Sequence, residues 1–313
     1  MPTLYDQAEN NTRKTFLLIF FFAIFIILIG WLFGYALHSG FFIYLAVILS
    51  IGMSVSSYWY SDKIVLVTTG AKLIEKDDNP ELYRLVENLC ITIGMPIPPI
   101  YILDEAQPNA FATGRDENHA VVAVTRGLLE KLERVELEGV LAHELSHVRN
   151  KDILLQTVIV VLVGSVALLS NFFLRAGMFG NRRDNENSSP IFIIIGIAAA
   201  ILAPIAAAVI QFAISRQREF LADASGALMT RYPEGLARAL IKISSDEHRM
   251  EHSNDAVAHM FIASPVKGEA QNNWLSKLFL THPPVEERIA ALRGMRLTER
   301  DEDNVIETYG KNF

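Results

Sequence analysis

Four long apolar runs, residues 16–37, 41–60, 153–174 and 191–214, alternate with polar stretches along the chain. Each holds about 20 residues or more without a charge, enough to cross the hydrocarbon layer as a helix. The first is too long for a signal-peptide core and lacks a small-x-small cleavage site, so it reads as a retained span. Pro204 predicts a kink in the fourth, and Gly196, Ala200, Ala203 and Ala207 suit close helix packing there. Four buried core helices of a soluble protein would leave too little polar surface for a chain of this size. Outside the runs the periodicity changes. Asn79-Pro80-Glu81 caps and starts a helix that Leu82, Leu85, Val86 and Leu89 carry to Gly94. Residues 99–103 and 119–124 are short and rich in β-branched side chains, with turn chemistry between them, and predict strands; 109–113 is a further candidate. Thr125 caps a helix through Leu132, and another starts at Val135. The expected fold class is an α+β membrane protein: four transmembrane helices plus a mostly helical domain with a small β-sheet.

Lys and Arg near the span ends set the orientation. Arg13 and Lys14 precede the first span, Lys63 follows the second, Arg149 and Lys151 precede the third, and Arg216 and Arg218 follow the fourth. Residues 38–40 carry no Lys or Arg, whereas the 175–190 loop weakens the pattern with Arg175, Arg182 and Arg183 beside Asp184 and Glu186. The balance places both termini and the charged segments in the cytoplasm. The chain divides into a tail (1–15), a membrane hairpin (16–60), the first part of a cytoplasmic domain (61–152), a second hairpin (153–214) and the second part of that domain with a polar tail (215–313). These two parts together are long enough for a single core. The net charge of −7 gives no footprint for nucleic-acid binding. A single cysteine, Cys90, forbids an internal disulfide and fits a reducing compartment.

Chemistry concentrates at His143-Glu144-Leu145-Ser146-His147. On a helix, residues four apart share a face, so two imidazoles grip one ion while the glutamate stands beside it as a base. A second string, His248-Arg249-Met250-Glu251-His252, matches the inverted motif. It lies among Ser244, Ser245, Asp246, Glu247, Ser253, Asn254 and Asp255 and reads as exposed histidines, whereas the first lies in a helix-periodic apolar run that buries one flank. A hydrolytic zinc site wants a third protein ligand and an open position. Glu219 and Asp223, four apart just after the fourth span, supply one ligand and one carboxylate to orient an imidazole; spacing alone does not rank them.

The H-E-x-x-H helix, a membrane hairpin, and then Arg218-Glu219-Phe220-Leu221-Ala222-Asp223 resemble the HtpX-type membrane zinc metallopeptidases, relatives of the CAAX prenyl-protease-like enzymes. The likeness extends to Asn109-Ala110-Phe111-Ala112 and to Thr281-His282-Pro283-Pro284 followed by Arg288, and so over nearly the whole chain. It implies one zinc ion (Zn2+) held by His143, His147 and Glu219, with Asp223 supporting the site and Glu144 as general base. It further implies that His282 and Arg288 steady the transition state, and that Asn109, Ala110, Phe111 and Ala112 align the substrate backbone. The implied partners are polypeptide substrates, membrane proteins among them, together with the lipid bilayer and other quality-control proteases. The implied place is the inner (cytoplasmic) membrane and the implied task protein quality control. Two bland readings stand beside these: His282 before Pro283 as a helix cap, and Phe111 as core packing. Trp274, Leu275, Leu278 and Phe279 form an apolar patch that suits either a lid or the membrane interface.

One geometric expectation belongs to this chain. If the helices bearing His147 and Glu219 continue from their spans, the ion sits about 8–9 Å from the membrane boundary at ~1.5 Å per residue, clamped between two membrane-rooted rods. A transporter is the rival reading, but no span holds a Lys, Arg, Asp, Glu or His; Gln156, Asn171 and Gln211 are the strongly polar residues there. A non-catalytic, zinc-stabilised scaffold would not need Glu144.

Overall fold

The first two apolar runs form antiparallel helices, Leu4–Ala36 and Phe41–Trp59. Their most apolar windows, Asn11–Trp31 and Phe41–Trp59, have mean hydropathies of 2.4 and 1.8, and both are long and apolar enough to cross a membrane. Only 28% and 17% of those windows are buried, which argues against core helices of a soluble domain. The pair closes at Gly30, where a Cβ would meet the Ala46 Cβ at 2.2 Å, so only glycine permits this approach. The computed structural model describes residues 4–36, 39–162, 164–165, 216–248, 250, 260–262 and 283–295. Of the third run it describes the apolar helix Asp152–Leu162 and residues 164–165; the rest of that run and the whole fourth run lie outside the described residues.

After the second helix the chain breaks at Tyr60 and re-enters a short helix, Ser61–Thr69, ended by Gly70 in the left-handed region (φ 65°). A four-stranded mixed sheet follows, made of β1 (Lys72–Ile74), β2 (Ile100–Leu103), β3 (Ala110–Gly114) and β4 (Ala120–Thr125). The order is β1-β2-β4-β3, with β2 parallel to β4 and the other two pairs antiparallel. The three anticipated strands are present; β1 was not anticipated. Helix Pro80–Ile93 begins where expected, with the Asn79 side chain accepting the Leu82 N–H, and Thr125 caps Arg126–Lys131 through the Leu128 N–H.

Both faces of the sheet are covered. Ile100, Ala110, Ala112, Val122 and Val124 point into one core with helices Pro80–Ile93, Arg134–Arg149, Arg216–Thr230 and Pro233–Ser244. Leu103, Phe111 and Ala123 point into a second core, shared with Leu18, Phe22 and Ile26 of the first helix and with Leu154–Leu162 side chains. Alternation along a strand produces this division.

The motif helix, Arg134–Arg149, is held at its start by a capping box between Glu133 and Glu136. Every residue from Gly139 to Val148 is buried, so the helix is surrounded rather than buried on one flank. It also ends at Arg149. Lys151 sits at φ 56°, and a separate helix begins at Asp152. The continuous rod expected from His147 into the third run is therefore absent on this side, and with it the basis for the 8–9 Å placement. The polar chemistry of Asn150, Lys151 and Asp152 interrupts the helix just before the apolar side chains begin.

Two glycines let the neighbouring helices approach. A methyl group at Gly139 would lie 2.7 Å from the Leu236 nitrogen, and one at Gly226 would lie 3.0 Å from the His143 nitrogen. Because these neighbours are backbone atoms, they cannot swing aside. Gly139→Ala is expected to lower stability by about 1–3 kcal/mol, as overpacking does. Gly52→Ala, with open space around it, should leave stability within about 0.5 kcal/mol. Thermal unfolding in detergent compares the two.

Candidate metal centre

His143 and His147 lie one turn apart on the motif helix, and their Nε2 atoms approach to 3.3 Å. The Arg216–Thr230 helix crosses beside them at Gly226 and delivers Glu219, whose Oε2 is 3.7 Å from His143 Nε2 and Oε1 3.6 Å from His147 Nε2. All three side chains are buried. Bonds of about 2.0–2.1 Å to a tetrahedral zinc imply donor separations of about 3.4 Å, so this spacing fits the ion.

The other imidazole nitrogens are held by carboxylates. Asp223, one turn after Glu219, places Oδ1 2.9 Å from His143 Nδ1, a close contact off the line of a good hydrogen bond. Asp152 Oδ2 lies 3.1 Å from His147 Nδ1. Both nitrogens that face Glu219 are thereby left to bind. Asp152 was not singled out from sequence: five residues from His147 is the wrong spacing for one helical face, and the helix break that makes the contact left no apolar signal.

Arg288 is fully buried and grips Asp223 with two bonds, Nε to Oδ2 at 2.8 Å and Nη2 to Oδ1 at 2.6 Å. Its Nη2 also lies 3.4 Å from His143 Nε2, and its Nη1 is 3.8 Å from Glu219 Oε2 without a hydrogen-bond partner among the described residues. Glu144 is buried on the same helix, and its Oε2 accepts the Ala112 N–H at 3.0 Å. That bond ties the carboxylate to β3, the edge strand. Asn109 is buried and registered on β4 by the Thr125 N–H, which its carbonyl accepts at 2.9 Å. Phe111 turns away from the metal donors into the second core, edge-on to Phe261 at 5.3 Å. At the far end of the same edge the Ile262 N–H donates to the Ala110 carbonyl. His248 is largely exposed and pairs with Asp246. His252, His282 and the apolar residues from Trp274 to Phe279 lie outside the described residues.

Charge favours a cation here. Glu144, Asp152, Glu219 and Asp223 are all buried around the two imidazoles, and among the described residues Arg288 is the buried arginine beside them. Burial alone would raise the Asp223 carboxyl, but Arg288, by charge and hydrogen bond, and His143 hold it below its ordinary value. In the metal-free protein burial works against charge on His147, yet the Asp152 hydrogen bond and the Glu219 charge outweigh it and raise the imidazole to about 9.

Residues 76–296 match the model of peptidase family M48. The chain belongs to that family. It is 44% identical over 292 residues to a "Protease HtpX homolog" of Tropheryma whipplei (strain Twist), covering 93% of this chain and 98% of that one. A second "Protease HtpX homolog", from Thermoanaerobacter pseudethanolicus, is 44% identical over 301 residues, covering 94% and 99%. A third, from Desulfatibacillum aliphaticivorans, is 45% identical over 288 residues, covering 92% and 90%. Among solved structures, the crystal structure of S. mikatae Ste24p aligns with a TM-score of 0.47 and 21% identity, covering 80% of this chain and 57% of that one. By its family match and its HtpX relatives, this M48 peptidase is a metallopeptidase of the HtpX type. Its family implies a metal cofactor, and the buried donors His143, His147 and Glu219 fit one.

An ion bound at His147 Nε2 must displace a proton below about pH 9. Apparent metal affinity is therefore expected to rise with pH and level off near there. The sign for the metal-free protein is opposite. Because the folded value is raised, His147 adds stability fully below about pH 6.5, and this is lost as pH rises through about 9. Calorimetry at pH 7 in buffers of different ionisation enthalpy should detect proton release on metal binding; none would contradict this account of His147.

Proposed function

We propose that this chain is an integral membrane, zinc-dependent endopeptidase of the gluzincin type that hydrolyses peptide bonds of misfolded or damaged membrane proteins. In this reading it spans the inner membrane four times, with the site and both termini on the cytoplasmic side. The observation that carries it is the buried trio of His143, His147 and Glu219 with Glu144 on the same helix.

When bound, zinc supplies Lewis acidity, lowering the pKa of a water toward ~7 and polarising the scissile carbonyl. Asp223 and Asp152 fix the imidazoles so that both Nε2 atoms face the ion. Glu144 accepts a proton from the attacking water at its carboxylate and passes it to the departing amine. The Ala112 N–H orients that carboxylate and couples it to the strand on which substrate lies. An extended substrate lies along the edge of β3 at Asn109, Ala110, Phe111 and Ala112, taking over the Ala110 carbonyl from the Ile262 N–H while the Ala112 N–H stays with Glu144, and Phe111 anchors the strand from its far side. Arg288, braced by Asp223, keeps Nη1 available for negative charge developing on the carbonyl oxygen, and His282 joins it. The span-like helices support a role at the bilayer. A partnership with other quality-control proteases rests on the family likeness alone.

The test uses purified, zinc-loaded protein in detergent with an unfolded membrane protein as substrate. Glu144→Gln should lower turnover by about 10²-fold or more while leaving one zinc bound. Cleavage at the parent rate would remove Glu144 as the base. Parent protein that cleaves nothing while fully loaded with zinc would count against the peptidase assignment.

A further inference from the structure

We propose that Asp152 is a positioning residue for the metal centre and that Asn11, on the first apolar helix, holds it in place. This deepens the zinc reading above and rests on it. Asp152 is 1% exposed and Asn11 5%. The two oxygens of the Asp152 carboxylate are divided between them and the site: Oδ2 faces His147 Nδ1 at 3.1 Å, and Oδ1 accepts the Asn11 side-chain N–H at 2.6 Å. The second contact joins residues 141 apart in sequence and belongs to a helix with no metal donor of its own.

A buried carboxylate is stable only when its oxygens are paired, and here one pairing reaches the metal ligand and the other the membrane helix. Ring rotation about the bond to Cγ is soft in histidine, so an imidazole directs Nε2 at an ion only while Nδ1 is held. Asp152 provides that hold. An aspartate with one oxygen untethered can itself turn, and the Asn11 amide removes that freedom. The helix that carries Asn11 is itself held: Leu18 and Phe22 further along it share a core with Leu154, Leu155 and Val158 of the Asp152–Leu162 helix. The two imidazoles are thus braced from opposite sides. Asp223 behind His143 is gripped by Arg288, near the other end of the chain; Asp152 behind His147 is gripped by Asn11. The first apolar helix is then part of the metal site as well as an anchor.

The experiment measures zinc affinity rather than turnover, in the full-length protein in detergent with Glu144→Gln as parent. Competition with a chelator at fixed pH gives the dissociation constant, and the visible spectrum of the Co2+-substituted protein reports ligand geometry. Asp152→Asn should weaken zinc binding about 10–100-fold and change the cobalt spectrum. Asn11→Ala should weaken it by a smaller factor, about 3–10-fold, in the same direction. Asn11→Asp sets two carboxylates against each other and should also weaken binding, whereas combining it with Asp152→Asn restores one donor–acceptor pair and should recover part of the loss. Thr15→Ala, which removes a buried hydroxyl bonded to the Asn11 backbone carbonyl and leaves the Asn11 side chain in place, serves as the packing control: it should lower the unfolding temperature and leave affinity within about twofold of the parent. If Asp152→Asn does not fold, Asp152→Glu keeps the charge but displaces it and is measured in the same way.

Asp152→Asn and Asn11→Ala proteins that bind zinc within twofold of the parent, with unchanged cobalt spectra, would overturn this inference and leave the zinc reading intact. A weakened Asp152→Asn with an unaffected Asn11→Ala would overturn the role of Asn11. A parent that takes up no zinc would instead overturn the proposed function itself.

Discussion

Two helices, Arg134–Arg149 and Arg216–Thr230, touch at a glycine, where a side-chain carbon would be tight against the neighbouring backbone, and the candidate chemistry of this chain depends on that contact. Gly226 lets one helix lie against the backbone of His143 on the other, and Glu219, two turns earlier, then reaches both imidazoles. The approach gathers the buried carboxylates of Glu144, Asp152, Glu219 and Asp223 around the two imidazoles. Buried negative charge favours a neighbouring cation, and the raised protonation of His147, through Asp152 and Glu219, is one response to it.

The sheet gives the site its direction. Its edge strand, β3, sends Ala110 and Ala112 into the first core and Phe111 into the second, so it is held from both faces while one edge stays turned toward the motif helix. The bond from the Ala112 N–H to Glu144 crosses that edge. The candidate metal centre lies at the junction of the two cores: His143 and His147 stand on a helix of the first, and Asp152 opens a helix of the second.

Much of this was legible in the sequence. Spacing of four placed His143 beside His147 and Glu219 beside Asp223, because helical periodicity is indifferent to the surrounding fold. Asn79, Thr125 and Gly94 marked helix ends through capping chemistry that acts locally. Other features depend on contacts no local pattern encodes. β1 has three residues and joins the sheet through pairing with β2, so no alternation announced it. The Ser61–Thr69 helix was hidden because it follows a span after a single-residue break. Spacing alone did not rank Glu219 and Asp223; the family likeness put Glu219 on the ion, and the crossing at Gly226 sets it beside both imidazoles. The expected continuous rod failed at Asn150–Asp152, where capping preferences outweigh the apolar run that follows, and that same break turns Asp152 back toward His147. Asn11 falls in the stretch read from sequence as a tail (1–15), and its partner Asp152 lies on another helix.

Zinc K-edge X-ray absorption on the purified protein tests the central claim most directly. The account predicts one zinc per chain with two imidazole rings and otherwise oxygen scatterers at about 2.0–2.1 Å. The oxygen shell should change in Glu219→Ala. A sulfur scatterer near 2.3 Å, which would point to Cys90, or fewer than two imidazoles, would contradict it.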